Sequence, residues 1–132
     1  MLIIDKQSTI PVYEQLIEQL EKLILSGIYK SDDLIPSVRA LSLELSINPN
    51  TVQKAYNELE RKLISYSVPG KGRFVSVNAK AIISANRHEQ LIDLKNIAYE
   101  LALGGVALEK VIQTIDEAYK LAKENDETGE RK

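Results

Sequence analysis

The pair Asn48-Pro49 constrains this chain more than any other feature, because it dictates where one helix begins and therefore which face turns inward. Asparagine is a favoured N-cap, and proline at the first helical position loses nothing, since its missing amide hydrogen would be unpaired there anyway. Counting from that start at about 100° per residue, Val52, Ala55, Tyr56, Leu59 and Leu63 fall on one apolar stripe. Asn50, Gln53, Lys54, Asn57 and Arg61 lie opposite, with Glu58 and Glu60 on the flanks toward the later turns. Amides and cations of this kind can hydrogen-bond base edges or phosphates. A polar outer face alone, however, is ordinarily just solvated, so its meaning depends on its neighbours.

Those neighbours are specific. A first helix is predicted from near Pro11 to Ser26-Gly27, with Val12, Leu16, Leu20, Leu23 and Ile24 on its buried face. A shorter second helix follows Pro36-Ser37, with Ser37 as N-cap and Val38, Leu41 and Leu45 pointing inward; it stops before Ile47. After Leu63 the period changes. Ile64, Tyr66 and Val68, then Phe74 or Val75 and Val77, predict two short strands around a basic tip, Pro69-Gly70-Lys71-Gly72-Arg73. Three helices closed by such a hairpin make a helix-turn-helix with a wing.

Charge points the same way only when it is read locally. The 132 residues carry 17 basic and 19 acidic side chains, a net charge of -2, which advertises neither nucleic acid nor an anionic membrane. Between residues 36 and 75, however, the basic side chains Arg39, Lys54, Arg61, Lys62, Lys71 and Arg73 outnumber the acidic Glu44, Glu58 and Glu60. Ser37 and Arg39 stand where the amides of a helix N-terminus favour phosphate. Three phosphate-competent features thus share one segment of about forty residues.

Other chemistries find little footing. There is no cysteine and one histidine, so disulfide frameworks, thiolate sites and the usual zinc clusters are excluded. No cofactor or metal is expected. Gly70-Lys71-Gly72 is not a nucleotide-binding loop, because Arg73-Phe74-Val75 follows instead of Ser or Thr and a helix. His88 sits among Arg87, Glu89 and Asp93 and receives no role. The carboxylate pairs Glu18 with Glu21 and Asp116 with Glu117 stand among lysines, where solvation and ion pairing account for them. No nucleophile and base stand out, and the chain does not read as an enzyme. No basic segment leads into an apolar run at the N-terminus, and no stretch approaches a membrane span, so a soluble cytoplasmic protein with no membrane partner is expected.

The segment LIPSVRALSLELSINPNTVQKAYNELERKLISYSVPGKGRFV, with PVYEQLIEQLEKLILSGIY before it, resembles the DNA-binding domain of the GntR family of bacterial winged-helix regulators. The resemblance covers about the first 77 residues, and the short remainder is similar to the YtrA-type subfamily, in which a two-helix tail replaces a large effector domain. It implies that Arg39, helped by Ser37, binds phosphate. It also implies that Asn48, Asn50, Thr51 and Gln53 lie at the major-groove end of the third helix with Lys54 nearby, and that Gly70 and Lys71 bring the wing to the minor groove. Two departures stand out. Lys62 occupies a place where the family often has glycine, so a residue less suited to a left-handed conformation must close the third helix. The strand Ser65 to Pro69 lacks the arginines of many relatives, which implies fewer phosphate contacts.

Beyond residue 78 the pattern is helical again. Residues 81–103 suit a helix seamed by Leu91, Leu94, Ala98 and Leu101; Gly104-Gly105 breaks it. A second helix from about Ala107 to Lys123 carries Leu108, Val111 or Ile112, Ile115, Tyr119 and Ala122 on one face. The pair is expected to pack as a helical hairpin over residues 79–124, with apolar surface left over for a second copy, and residues 125–132 are expected to form a disordered tail. A mainly α protein results: a winged helix over residues 1–78 and a dimerisation module. A two-fold dimer implies an inverted-repeat operator on double-stranded DNA. The expected function is a homodimeric transcriptional repressor, and the subfamily resemblance suggests a transporter operon as its target. The rival expectation is a winged helix that binds protein instead of specific DNA. Nothing here identifies a small-molecule effector.

Overall fold

The structure, a computed structural model, describes residues 2–130, leaving aside the side chains of 125–130. Its order is α1 (Val12–Leu25), α2 (Val38–Leu45), α3 (Pro49–Arg61), β1 (Ser65–Val68), β2 (Gly72–Val75), α4 (Ala79–Leu103) and α5 (Leu108–Glu130). The chain divides into two compact units, one ending at Ser84 and the other beginning at Ala85. The division falls a few residues after the expected boundary at 78, because the first turn of α4 belongs to the first unit's core: Ala79 and Ile83 are both buried.

In the first unit, α3 packs on α1, α2 and β1. The core gathers Leu16, Leu20 and Ile24 of α1, Leu41 of α2, and Val52, Ala55, Tyr56 and Leu59 of α3. Val12, expected among them, is only half-buried, while Ile17 is buried. The Tyr56 hydroxyl donates to the Pro36 carbonyl at 2.7 Å, and burial raises its phenol pKa well above the ordinary tyrosine value. At the N-terminus, side-chain amides do the work of a strand. Gln15 accepts from the Asp5 N–H at 2.9 Å and donates to the carbonyls of Asp5 and Ile10 at 2.9 and 2.8 Å.

The hairpin is antiparallel, with Tyr66 opposite Phe74 and Ser67 opposite Arg73. Its turn has Pro69 and Gly70 at the centre, closed by the Lys71 N–H on the Val68 carbonyl at 3.0 Å. Gly70 has φ +77°, the left-handed value that the third residue of a type II turn requires. Residues 32–35 lie along the other edge of β2: Asp32 and Ile35 donate to the carbonyls of Val75 and Arg73, and Val75 donates back to Asp33. Val77, expected in the second strand, lies beyond it and is exposed.

Two expectations about α3 are corrected at its end. Leu63 does not join the apolar stripe but is 68% exposed; Ile64 is buried in its stead. Nor is Lys62 left-handed: it keeps right-handed helical angles, and Leu63 has φ +66°. The Leu63 N–H bonds to the Glu60 carbonyl and the Ile64 N–H to the Leu59 carbonyl, the paired bonds of a Schellman cap. Leu59 and Ile64, the two residues such a cap brings together, are both buried, and that contact holds a leucine in a conformation it disfavours.

The second unit departs furthest from expectation. Helices α4 and α5 are joined by a second Schellman cap, in which Gly105 (φ +84°) donates to the Ala102 carbonyl and Val106 to that of Leu101. The expected mutual packing of a helical hairpin is absent: α4 and α5 make at most marginal contact, and no residue from 85 to 124 is buried. Residues 125–132 were expected as a disordered tail, but α5 continues to Glu130, and residues 131–132 lie outside the described residues. Once a helix is nucleated, each further residue adds one backbone bond.

Leu63 and Lys62 therefore respond oppositely to glycine. At fixed protein concentration, Leu63→Gly raises the unfolding free energy by about 0.5–1 kcal/mol, whereas Lys62→Gly lowers it by about the same amount. Urea titrations followed by circular dichroism check both.

Candidate nucleic-acid interface

Helix α2 opens with a side-chain cap. The Ser37 hydroxyl oxygen accepts from the Ala40 N–H at 3.0 Å, which leaves the hydroxyl hydrogen free to donate. Arg39, in the first turn, is exposed. At its other end Ser46 adopts φ +53°, and the Lys6 ammonium donates to its carbonyl at 2.9 Å. The left-handed residue turns the chain sharply between α2 and α3.

Helix α3 opens as the Asn48-Pro49 pair dictates. Asn48 Oδ1 accepts from the Asn50 N–H at 2.8 Å, and Pro49 follows at the first helical position. The Asn48 side chain is therefore engaged in capping, with its amide NH2 left to donate outward. Asn50 is exposed and Thr51 half-buried on the same first turn.

One turn on, Gln53 Nε2 donates to Asn57 Oδ1 at 2.8 Å. Lys54 is exposed, with its ammonium 3.9 Å from the centre of the Tyr13 ring on α1. That cation–π contact steers a long side chain without neutralising its charge. Arg61, the last residue of the polar face, is ion-paired with Glu58, whose carboxyl it holds below the ordinary glutamate range. The pair leaves Arg61 less available than Lys54 to an external anion.

In the hairpin, Gly70 and Lys71 are exposed at the tip. Arg73 behaves differently from its neighbours. It is half-buried, with its guanidinium carbon 5.5 Å from the centre of the Tyr56 ring and its Nη2 donating to Asn57 Oδ1 at 3.4 Å. Sequence reading counted Arg73 in the basic tip and missed this inward turn. Strand alternation carries the signal, since Arg73 shares a face with the buried Val75.

The first unit thus gathers Ser37, Arg39, Asn48, Asn50, Thr51, Gln53, Lys54, Gly70 and Lys71 on the start of α2, the start of α3 and the wing. The expected interface residues of the second unit, Leu91, Leu94, Leu101, Leu108, Ile112 and Tyr119, are exposed, and Ala98 and Ile115 are half-buried. Among the described residues, no His, Cys, Asp or Glu side chains group as metal ligands would, and no helix is long and apolar enough to cross a membrane.

Residues 12–75 match the family model of the bacterial regulatory proteins of the gntR family. The chain is 41% identical over 130 residues to the HTH-type transcriptional repressor YtrA of Bacillus subtilis, a match covering 96% of this chain and all of that one. Its fold is similar to that of a GntR family transcriptional regulator from Listeria monocytogenes, with a TM-score of 0.68 and 30% identity over 86% of this chain and 98% of that one. It is also similar to the DNA-binding domain of AraR solved in complex with operator ORX1, with a TM-score of 0.51 and 30% identity over 57% of this chain and 93% of that domain.

Capping and reading separate experimentally at the first turn of α3. Asn48→Ala removes the cap and lowers stability by about 1 kcal/mol, and Asn48→Asp, which keeps the accepting oxygen, retains most of it. Thermal unfolding of the free protein measures both.

Proposed function

The chain belongs to the GntR family of bacterial regulatory proteins, and from that membership we propose that it is a homodimeric transcriptional repressor acting on an inverted-repeat operator. The observation that carries the DNA half of this reading is the joint presentation of Asn50, Lys54 and Arg39 on two helix starts, with Lys71 on the wing, all exposed. In this reading the first turns of α3 enter the major groove. Asn50, Thr51 and Gln53 meet base edges, Asn48 and Lys54 lie beside them, Ser37 and Arg39 hold a phosphate, and Gly70-Lys71 follows the minor groove.

Dimerisation is supported by what the second unit lacks. Leu91, Ile92, Ile97, Leu103, Leu108, Ile112 and Tyr119 are all more than half exposed, far more apolar surface than a lone soluble helix pair sustains. A second copy of the same two helices buries it with matched chemistry and gives the complex two reading helices, hence an inverted repeat. Repression is inferred from the likeness to a full-length repressor, and a protein acting on bacterial operators works in the cytoplasm. A transporter operon as target is the further expectation that the subfamily resemblance carries.

Titration of its own promoter duplex at two salt concentrations tests the proposal. Binding prefers an inverted repeat over scrambled duplex and weakens as salt rises. Arg39→Ala weakens all sequences alike, whereas Asn50→Ala costs about 1–3 kcal/mol on the operator only. Absence of any sequence preference would refute the operator reading. Leu94→Glu with Leu101→Glu yields monomers by analytical ultracentrifugation and loses tight operator binding; a variant that stays dimeric moves the interface elsewhere.

A further inference from the structure

Resting on the reading of α3 as the groove-entering element, we infer that Arg73 is a positioning residue for base recognition: acting through Asn57, it fixes which way round the Gln53 amide faces the DNA. The chain of contacts is short. Arg73 Nη2 donates to Asn57 Oδ1 at 3.4 Å, and Gln53 Nε2 donates to the same oxygen at 2.8 Å. The guanidinium lies against the Tyr56 ring, so its place is set by the core and not by solvent. Its Nη1 is buried without a hydrogen-bond partner, so Arg73 does not stabilise the domain as a satisfied ion pair would.

The polarity of the chain follows from the donor inventory. A guanidinium has donors and no acceptor, so the atom Asn57 turns toward it must be its oxygen. Gln53, one turn earlier on α3, then meets an oxygen and must offer nitrogen. One Nε2 hydrogen is spent there. The other hydrogen and Oε1 remain, an adjacent donor and acceptor that match N7 and the N6 amino group of adenine in the major groove. Without Arg73 the Asn57 amide can turn over and present Nδ2. Gln53 then accepts with Oε1 and no longer displays that pair in one fixed orientation.

Selection of bound duplex from a random pool by the full chain identifies the base pair whose preference disappears in Gln53→Ala. At that position wild-type protein should prefer adenine by about tenfold or more. Arg73→Leu should lose most of that preference while keeping wild-type affinity for random duplex and the same salt slope. In the Gln53→Ala background it should change the preference no further. Asn57→Leu, on the exposed helix face and away from the core, should reproduce the loss, whereas Asn57→Asp, which keeps an accepting oxygen, should preserve the preference even at lower affinity. The inference is overturned if Arg73→Leu weakens all sequences alike and reduces the salt slope by about one contact, since Arg73 would then be a phosphate ligand. It is equally overturned if the preference survives Arg73→Leu, or if Asn57→Asp loses it as Asn57→Leu does. Failure of wild-type protein to prefer any base would instead remove the groove-reading role of α3, and it would be visible before any variant is made.

Discussion

Tyr56 sets the geometry of the first unit. It is fully buried on α3, its hydroxyl holds the Pro36 carbonyl immediately before the α2 cap, and its ring supports Arg73 of the wing. One side chain thus connects α3, the start of α2 and the hairpin. Burial raises its phenol pKa further above the ordinary tyrosine value, and the hydroxyl donates to Pro36. The proposed reading of DNA by α2, α3 and the wing needs their spacing fixed to within about 0.5 Å before the ligand arrives. Here the spacing is enforced from inside, which leaves Arg39, Asn50 and Lys71 free of structural duties.

What could be read from the sequence was whatever local chemistry decides. Asn48-Pro49 and Ser37 cap their helices as residue type dictates, because a cap is settled by the residue and its next three neighbours. The apolar stripe of α3 was legible as far as Leu59. It failed at Leu63 because the end of α3 is decided by the pairing of Leu59 with Ile64, a packing preference that outweighs the poor fit of leucine to a left-handed angle. The strand-like segment 32–35 was invisible for a related reason: its Asp-Asp and Pro punctuation reads as loop, while its pairing partner lies some forty residues away on β2. Gln15 shows the same limit from the side-chain end, since nothing in its neighbourhood announces that its amide will bond the backbone of residues 5 and 10.

The apolar periodicity of the second unit was legible, but its use was not. Spacings of three and four say that a face will be buried; they do not say against what. Two helices in one chain invite the economical answer that they bury each other. In the structure they do not, and Leu91, Leu108 and Tyr119 stay in contact with solvent.

This difference bears on how the two units can work together. The first unit has a core of its own, so its fold requires no partner. Among the described residues of the second, none from 85 to 124 is buried, and helices in proteins draw most of their stability from the packing of an apolar face. If a second copy supplies that cover, the ordering of α4 beyond Ser84 and of α5 becomes part of the association free energy and depends on protein concentration. Joining two reading units then raises the effective concentration of the second at the operator as soon as the first has bound. Occupancy of paired half-sites would respond steeply to the amount of protein, while contact with a single half-site would stay weak.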